Sequence, residues 1–175
     1  MKKERLVVGG GCFWCVEAVY SNVKGVLSAL SGYAGGKRPN PSYESVCTGA
    51  SGHAEVVDIE FDAECISRDA LLDIFFAIHN PTTLNCQGAD RGTQYRSVTY
   101  YETLEQKEII LHAIARAQNN FKEKIVTEVT ILPEVYAAER YHQNYFENNP
   151  AQGYCQAVIV PKLQKFMSYF PQNVG

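Results

Sequence analysis

Three consecutive glycines near the amino terminus constrain how this chain can fold. The apolar run Leu6-Val7-Val8 before them predicts a short buried strand, and the residues after Gly9-Gly10-Gly11 can form a helix. Cys12 is then expected at or beside the helix N-terminus, where unpaired N–H groups and the helix dipole favour a thiolate. We predict a reactive thiol; the alternative is a buried cysteine that packs as a small hydrophobe.

Length and charge restrict the class of protein. The chain has 175 residues, which suits one domain over 1–175, with a core at about 5–147 and a tail at 148–175. A net charge of -3 without a basic block argues against nucleic acid or anionic lipid as a partner. No apolar run has the length of a signal peptide or membrane span, so we expect a soluble cytoplasmic protein.

The six cysteines favour thiol chemistry over a disulfide framework in a chain that carries no export signal. Cys12 and Cys15 form a C-x-x-C pair, which is half of a structural zinc site, but no second pair follows and we expect no metal. The other alternative for this pair is a thioredoxin-like redox site.

A strand is predicted at Ala54–Phe61, with one charged residue on its apolar face. Val57, Ile59 and Phe61 share one face, and Glu55 falls on the same apolar face. A carboxylate on the buried side of a strand must be paired or neutral, because desolvation raises its pKa. Glu55 is therefore either a buried acid or the partner of a buried arginine.

The remaining pattern gives helices alternating in part with strands. We expect a mixed or antiparallel sheet with helices on one side, and no motif for a nucleotide cofactor occurs. The predicted strands are Leu6–Val8, about Val26–Leu30, Tyr95–Tyr101 and Ile125–Ile131; the predicted helices are Asp69–His79, Thr103 to about Glu123, Ala138–Phe146 and the last segment around Leu163–Phe170.

Three loops carry side chains suited to a site. The Gly- and Pro-rich segment 31–44 contains Tyr43, and a polar loop over 82–94 contains Asp90. The segment Ala151–Gln156 is predicted to be loop-like, so that Cys155 can move toward another thiol.

Several sequence blocks together resemble the peptide methionine sulfoxide reductase A family. The blocks occur in the order of that family and cover roughly residues 5–165. They are Gly11-Cys12-Phe13-Trp14, Gly32-Tyr33-Ala34-Gly35-Gly36, Asn40-Pro41-Ser42-Tyr43-Glu44, Gly52-His53-Ala54-Glu55-Val56-Val57, His79-Asn80-Pro81-Thr82-Thr83-Leu84-Asn85, Gln94-Tyr95-Arg96-Ser97 and Tyr141-His142-Gln143.

The resemblance implies a fold and a reaction. The fold is an α/β two-layer sandwich: a mixed sheet with a plait-like, ferredoxin-like core, helices packed on it and a long coil-rich C-terminal segment. The activity is reduction of the S epimer of methionine sulfoxide, free or in proteins, without metal or flavin and with thioredoxin as the external reductant. We expect a monomer, since packing the predicted helices leaves no apolar stripe.

The resemblance also implies a role for each matching residue. Cys12 would be the nucleophile, and Phe13 and Trp14 the wall that holds the substrate methyl group. The sulfoxide oxygen would be held by hydrogen bonds from Tyr43, Glu55 and Tyr95, with Asp90 as an orienting residue.

These residue types suit the chemistry. A sulfoxide sulfur is a poor electrophile until its oxygen is protonated, and a buried neutral Glu55 can supply that proton. Attack by Cys12 then gives a sulfenic acid, which a second cysteine must capture as a disulfide. Cys155 is favoured for that step, Cys15 is the rival, and a relay through both is a further alternative. A different class remains open: a thiol redox-sensing or binding module without sulfoxide chemistry.

Overall fold

A six-stranded mixed sheet organises the fold, in a computed structural model that describes every residue from Met1 to Gly175. The strand order is β7-β6-β1-β3-β2-β8; all neighbours are antiparallel except β6 and β7, which are parallel. The strands are β1 Lys3–Gly9, β2 Val26–Ala34, β3 Ala54–Asp62, β6 Val98–Tyr101, β7 Glu128–Ile131 and β8 Val135–Ala137, and a separate two-stranded ribbon consists of β4 Cys86–Gln87 and β5 Asp90–Arg91.

Six α-helices and several shorter turns connect these strands. The α-helices are α1 Phe13–Tyr20, α2 Tyr43–Cys47, α3 Arg68–Ile78, α4 Leu104–Gln118, α5 Tyr145–Asn148 and α6 Val160–Tyr169; 3₁₀ turns occupy Thr93–Tyr95, Arg140–His142 and Pro171–Asn173, and a π-helical turn occupies Cys155–Ile159. Helix starts follow their capping residues: Ser67 Oγ accepts from the Ala70 N–H, and Thr103 Oγ1 from the Gln106 N–H. None of the helices is both long and apolar enough to cross a membrane.

The main core lies between the helices and one face of the sheet. Leu6 and Val8 of β1 pair with β3 and share this face with Val57, Ile59 and Phe61, as the alternation of β3 predicted. Helices α1, α3, α4 and α6 bury their apolar sides against it. Two layers result, and the predicted placement of helices on one side of a mixed sheet is confirmed.

The opposite face of the sheet is partly polar. A small second cluster there includes Val7 and Val56, and Leu132 and Val135 cover it. Elsewhere on that face Arg5 forms a bidentate pair with Asp58 at 2.7 and 2.8 Å.

The glycine run brings β1, β3 and α1 close together. A Cβ on Gly9 would lie 2.6 Å from the carbonyl oxygen of Glu55, so only glycine fits between these strands. Gly11 has a φ of +85°, in the left-handed region that glycine adopts without strain. The backbone can therefore turn sharply from β1 into α1 beside Glu55.

Several predicted boundaries are wrong: β2 continues past Leu30 to Ala34, into the predicted loop, and β7 begins at Glu128 instead of Ile125. Tyr95 does not lie in a strand: it ends a 3₁₀ turn, and β6 begins at Val98. Helix α4 ends at Gln118 instead of Glu123, where the side-chain amide of Gln118 binds the carbonyl oxygens of Phe121 and Glu123. The predicted helix over 138–146 is a 3₁₀ turn and the short helix α5, separated by Asn144 at a φ of 52°.

Candidate active site

The glycine turn places Cys12 directly before the first helix. Cys12 is the N-cap residue of α1, as predicted, and only 9% of its surface is exposed. The turn is held by a hydrogen bond from the Gly11 N–H to the Tyr95 carbonyl oxygen at 3.1 Å. The backbone N–H of Phe13, the residue after Cys12, donates to Glu55 Oε1 at 3.1 Å. The carboxyl group of Glu55 is thus hydrogen-bonded to the backbone of the residue that follows Cys12.

Glu55 is a buried acid without an arginine partner. Only 1% of the surface of Glu55 is exposed, and its carboxyl group forms no ion pair. Burial raises the pKa of Glu55 to about 8, although the hydrogen bond from the Phe13 N–H opposes this shift. Of the two alternatives for this residue, the structure supports the buried acid, and most of its carboxyl groups carry a proton at neutral pH.

Two phenols approach the same acid from different elements. Tyr43 is the first residue of α2, and Tyr95 ends the 3₁₀ turn before β6. Burial raises the pKa of both phenols, and the negative charge of Glu55 raises both further. Tyr95 also interacts with the charges of Cys12 and Asp90. Tyr43 and Tyr95 both pack against the buried cluster that contains Cys12, and both phenols are protonated.

Aromatic side chains form one wall of the site. Trp14 is partly exposed and stacks on Tyr145, with ring centroids 3.7 Å apart and planes at 6°. Its indole Nε1 donates to His142 Nδ1 at 3.0 Å, which fixes the ring orientation. Phe13 is 1% exposed and packs behind this layer, against Tyr33 and His142. The exposed part of the wall is thus Trp14, backed by Phe13.

A half-buried carboxylate ties Tyr43 to the rest of the fold. Glu139 accepts from the Tyr33 hydroxyl and from the Tyr43 backbone N–H, both at 2.9 Å. Burial would raise the pKa of Glu139, but these hydrogen bonds outweigh that effect and the net shift is downward. Glu139 therefore stays ionised and holds the start of α2 at the site.

Cys15 lies one turn after Cys12, and each thiol affects the pKa of the other. Burial raises the pKa of the Cys12 thiol well above its usual value, and the neighbouring Cys15 raises it further. Interaction with Cys12 lowers the pKa of Cys15 to about 7. Desolvation at Cys12 therefore opposes the thiolate that the helix terminus is expected to favour there.

Cys155 is neither exposed nor in a loop. It begins the π-helical turn Cys155–Ile159, which continues into α6, and its residue is fully buried. Burial raises the pKa of Cys155, and the charge of Cys15 raises it further. The prediction of a loop-like, coil-rich tail is wrong here, because apolar residues such as Ile159 and Phe166 bury one side of the C-terminal segment as a helix.

The other three cysteines lie outside this thiol group. Cys47 is exposed at the end of α2, Cys65 is exposed, and the Cys86 thiol donates to the Gly88 carbonyl oxygen. No group of three or more His, Cys, Asp or Glu side chains is arranged to hold a metal ion.

Comparisons with known proteins identify the family. A family profile described as "Peptide methionine sulfoxide reductase" matches residues 4–174. The chain belongs to the peptide methionine sulfoxide reductase family. Among curated relatives, "Peptide methionine sulfoxide reductase MsrA" of Polynucleobacter asymbioticus is 58% identical over 174 residues, covering 98% of this chain and 92% of the relative.

Solved structures of family members share the fold. Mxr1 of Saccharomyces cerevisiae in reduced form aligns with a TM-score of 0.81 at 32% identity, over 88% of this chain and 90% of Mxr1. Methionine sulfoxide reductase A of Corynebacterium diphtheriae aligns with a TM-score of 0.78 at 33% identity, over 86% of this chain and 76% of that protein. Mxr1 in complex with Trx2 aligns with a TM-score of 0.57 at 21% identity, over 82% and 85%, a likeness of fold.

Sequence reasoning missed three residues of this reductase site. His142 lies in a block that carried the resemblance, so its hydrogen bond to Trp14 had a signal. Glu139 and Tyr145 had none, because each reaches the site through the packing of a C-terminal segment onto α1 and α2.

Proposed function

We propose that this member of the family reduces the S epimer of methionine sulfoxide, free or in proteins, to methionine. The observation that carries the proposal is the buried carboxyl of Glu55, joined by the Phe13 N–H to the turn that holds Cys12. A neutral acid beside a thiol and two phenols suits protonation of a sulfoxide oxygen. Partly exposed Trp14 offers the methyl group an apolar, sulfur-compatible surface.

In the proposed first step Cys12 attacks the sulfoxide sulfur while its oxygen accepts a proton from Glu55. Tyr43 and Tyr95 donate hydrogen bonds to the same oxygen and, as neutral groups, add no competing charge. Cys15, one turn away on α1, accepts the Cys12 proton in this step. The oxygen transfers to Cys12, which becomes a sulfenic acid, and the S=O bond of the substrate is replaced by the lone pair of methionine.

In the proposed second step the sulfenic acid is captured by Cys15, and the disulfide then passes to Cys155. The position of Cys15 one turn after Cys12 and its lowered pKa support this order over direct attack by Cys155, whose pKa is raised by burial. A disulfide can bridge residues within one helical turn after a small adjustment of the backbone. This order is the relay that the sequence left as an alternative, with Cys155 as the last acceptor.

We propose thioredoxin as the reductant that resets the enzyme by thiol–disulfide exchange, and no metal or flavin cofactor. The complex of the related Mxr1 with Trx2 supports this partner. We also propose one catalytic domain over 1–175, acting as a monomer in the cytoplasm. For the core we propose a ferredoxin-like plait, supported by the succession β1-α1-β2-β3-α3-β6 and the strand order β6-β1-β3-β2.

A coupled assay with methionine sulfoxide, thioredoxin and its reductase tests the proposal. Glu55→Gln keeps shape and burial but removes the transferable proton, so kcat should fall by about 10²–10⁴-fold. Glu60→Gln, on the exposed face of the same strand, is the matched control and should retain activity. Activity that survives Glu55→Gln or Cys12→Ser would contradict the roles proposed for these residues, and a wild-type protein without activity would favour a redox-sensing module.

A further inference from the structure

A chain of hydrogen bonds joins Cys15 to Asp90 through a tyrosine with no role in the steps above. The Tyr154 hydroxyl donates to Asp90 Oδ2 at 2.9 Å, and its oxygen lies 3.7 Å from Cys15 Sγ. A phenol has one hydrogen, and here that hydrogen points to the carboxylate. The Cys15 thiol is therefore the donor to the phenol oxygen when it carries a proton.

We propose that Tyr154 and Asp90 form a proton relay that ionises Cys15 for its attack on the Cys12 sulfenic acid. This inference rests on the proposed function and on Cys15 as the capturing thiol. The thiol proton passes to the phenol oxygen as the phenol proton passes to Asp90. Afterwards the Asp90 hydroxyl donates to Tyr154, and Tyr154 donates to the Cys15 thiolate. Each group keeps its hydrogen-bond partner in both arrangements, so the transfer leaves no buried polar atom unsatisfied.

The relay also balances the capture step. The Cys15 thiolate attacks the Cys12 sulfur, the S–S bond forms, and the S–O bond of the sulfenic acid breaks. The leaving hydroxide takes the proton held by Asp90 and departs as water. Asp90, Tyr154 and Cys12 line one cavity of about 580 Å³, so the proton has a path and the water has an exit. Sulfenic acid and thiol thus give disulfide and water without another oxidant.

The charges around Cys15 favour this sequence. Interaction with Cys12 lowers the pKa of Cys15 most, burial opposes this shift, and the positive charge of Lys162 lowers the pKa further. Lys162 lines the same cavity and has no carboxylate within 4.0 Å, so its charge is available to a thiolate. The titratable and charged groups that face Cys15 are Cys12 of α1, Glu55 of β3, Asp90 of β5, Tyr154 and Cys155 of the C-terminal segment and Lys162 of α6.

Asp90 has a particular place among these groups. Its negative charge raises the pKa of Cys15 and so opposes the thiolate. When the relay delivers a proton to Asp90, that charge is neutralised at the moment the thiolate forms. Tyr154 also packs edge-on against Trp14, with centroids 5.8 Å apart, which holds the phenol in line between Asp90 and Cys15.

Tyr154→Phe tests the relay, because it removes the hydroxyl and keeps the ring. Reduced enzyme is mixed rapidly with methionine sulfoxide without thioredoxin, and three products are followed: methionine, Cys12 sulfenic acid trapped by a 1,3-dicarbonyl reagent, and the Cys12–Cys15 disulfide by peptide mass. We expect the first methionine to form at the wild-type rate. Disulfide formation at pH 7 should slow about 10- to 100-fold, the sulfenic acid should accumulate, and the rate should recover as pH rises.

Two further variants and one control make the outcome decisive. Asp90→Asn should also slow formation of the Cys12–Cys15 disulfide. In a Cys15→Ser background this disulfide cannot form, and adding Tyr154→Phe should not change how long the Cys12 sulfenic acid persists. Tyr169→Phe loses a hydroxyl from the exposed end of α6 and should match the wild type. A wild-type rate and pH profile of disulfide formation in Tyr154→Phe would overturn the relay alone, whereas failure of the wild type to form methionine would overturn the proposed function.

Discussion

Glu17 is a second buried acid, on the first helix below the active-site cysteines. Its residue is 2% exposed, and its carboxyl oxygen accepts from the Ser31 hydroxyl at 3.2 Å. Burial raises the pKa of Glu17 to about 7, against hydrogen bonds from Ser31 and from the backbone of Asn144 and Tyr145. The acid therefore joins α1 to β2 and to the segment that carries the Trp14-stacking ring.

The titration of Glu17 predicts a pH dependence of stability. Because its folded pKa lies above the unfolded value, the contribution is present below about pH 4.5 and is lost as pH rises to about 7. A shift of this size corresponds to about 3 kcal/mol in the free energy of unfolding. Glu17→Gln should remove most of that fall, measured by urea unfolding at pH 4.5 and 8. Glu105→Gln, exposed on α4, should unfold with the wild-type pH dependence; an unchanged slope in Glu17→Gln would contradict the prediction.

At the residue scale, sequence reasoning works where a pattern has a single physical explanation. Glu55 was predicted to be buried because it lies two residues before Val57 and four before Ile59. Side chains at even spacings share one of the two faces of a strand. The raised pKa of Cys12 was not predictable from its helix terminus, because it comes from burial and from the position of Cys15.

At the element scale, packing and surface charge contribute very differently to the α3–α4 contact. Ile110 of α4 is fully buried in the main core, whereas Arg116 bridges Asp69 and Asp73 of α3 with its side chain 45% exposed. Ile110→Ala should lower the free energy of unfolding by about 2–5 kcal/mol. Arg116→Ala should cost about 1 kcal/mol or less, because water screens the pair. Chemical denaturation of both variants compares the two losses in the free energy of unfolding. A larger loss in Arg116→Ala than in Ile110→Ala would contradict the prediction.

Elements were predictable where apolar periodicity is long and caps are present. Ser67 is the N-cap residue of α3, and Thr103 is the N-cap residue of α4. Tyr95 was misplaced, because a 3₁₀ turn of three residues is too short to leave a period. The π-helical turn at Cys155 was missed as well: Gly153 and Tyr154 suggest a loop, and only contact with the core makes this segment helical.

At the scale of the whole molecule, the site joins distant parts of the chain. Cys12 and Trp14 come from the first helix, Glu55 from the centre of the sheet, and Cys155 from the C-terminal segment packed on α1. Cys15 lies one turn after Cys12, and its Sγ is 3.7 Å from the hydroxyl of Tyr154, the residue before Cys155; we call these three cysteines the cysteine row. Passage of a disulfide along this row would move oxidation from the substrate pocket to the C-terminal segment.

Cys155→Ser separates the chemical step from recycling. The first methionine and the Cys12–Cys15 disulfide should form at wild-type rates, because neither needs Cys155. Turnover with thioredoxin should fall by about tenfold or more, since the disulfide can then no longer pass from Cys15 to the C-terminal segment for exchange with the reductant. Rapid-quench and steady-state assays give the two rates. Cys65→Ser, an exposed cysteine away from the row, should recycle normally. Normal recycling in Cys155→Ser would instead make Cys15 the thiol that meets the reductant, and the C-terminal segment would have no part in the exchange.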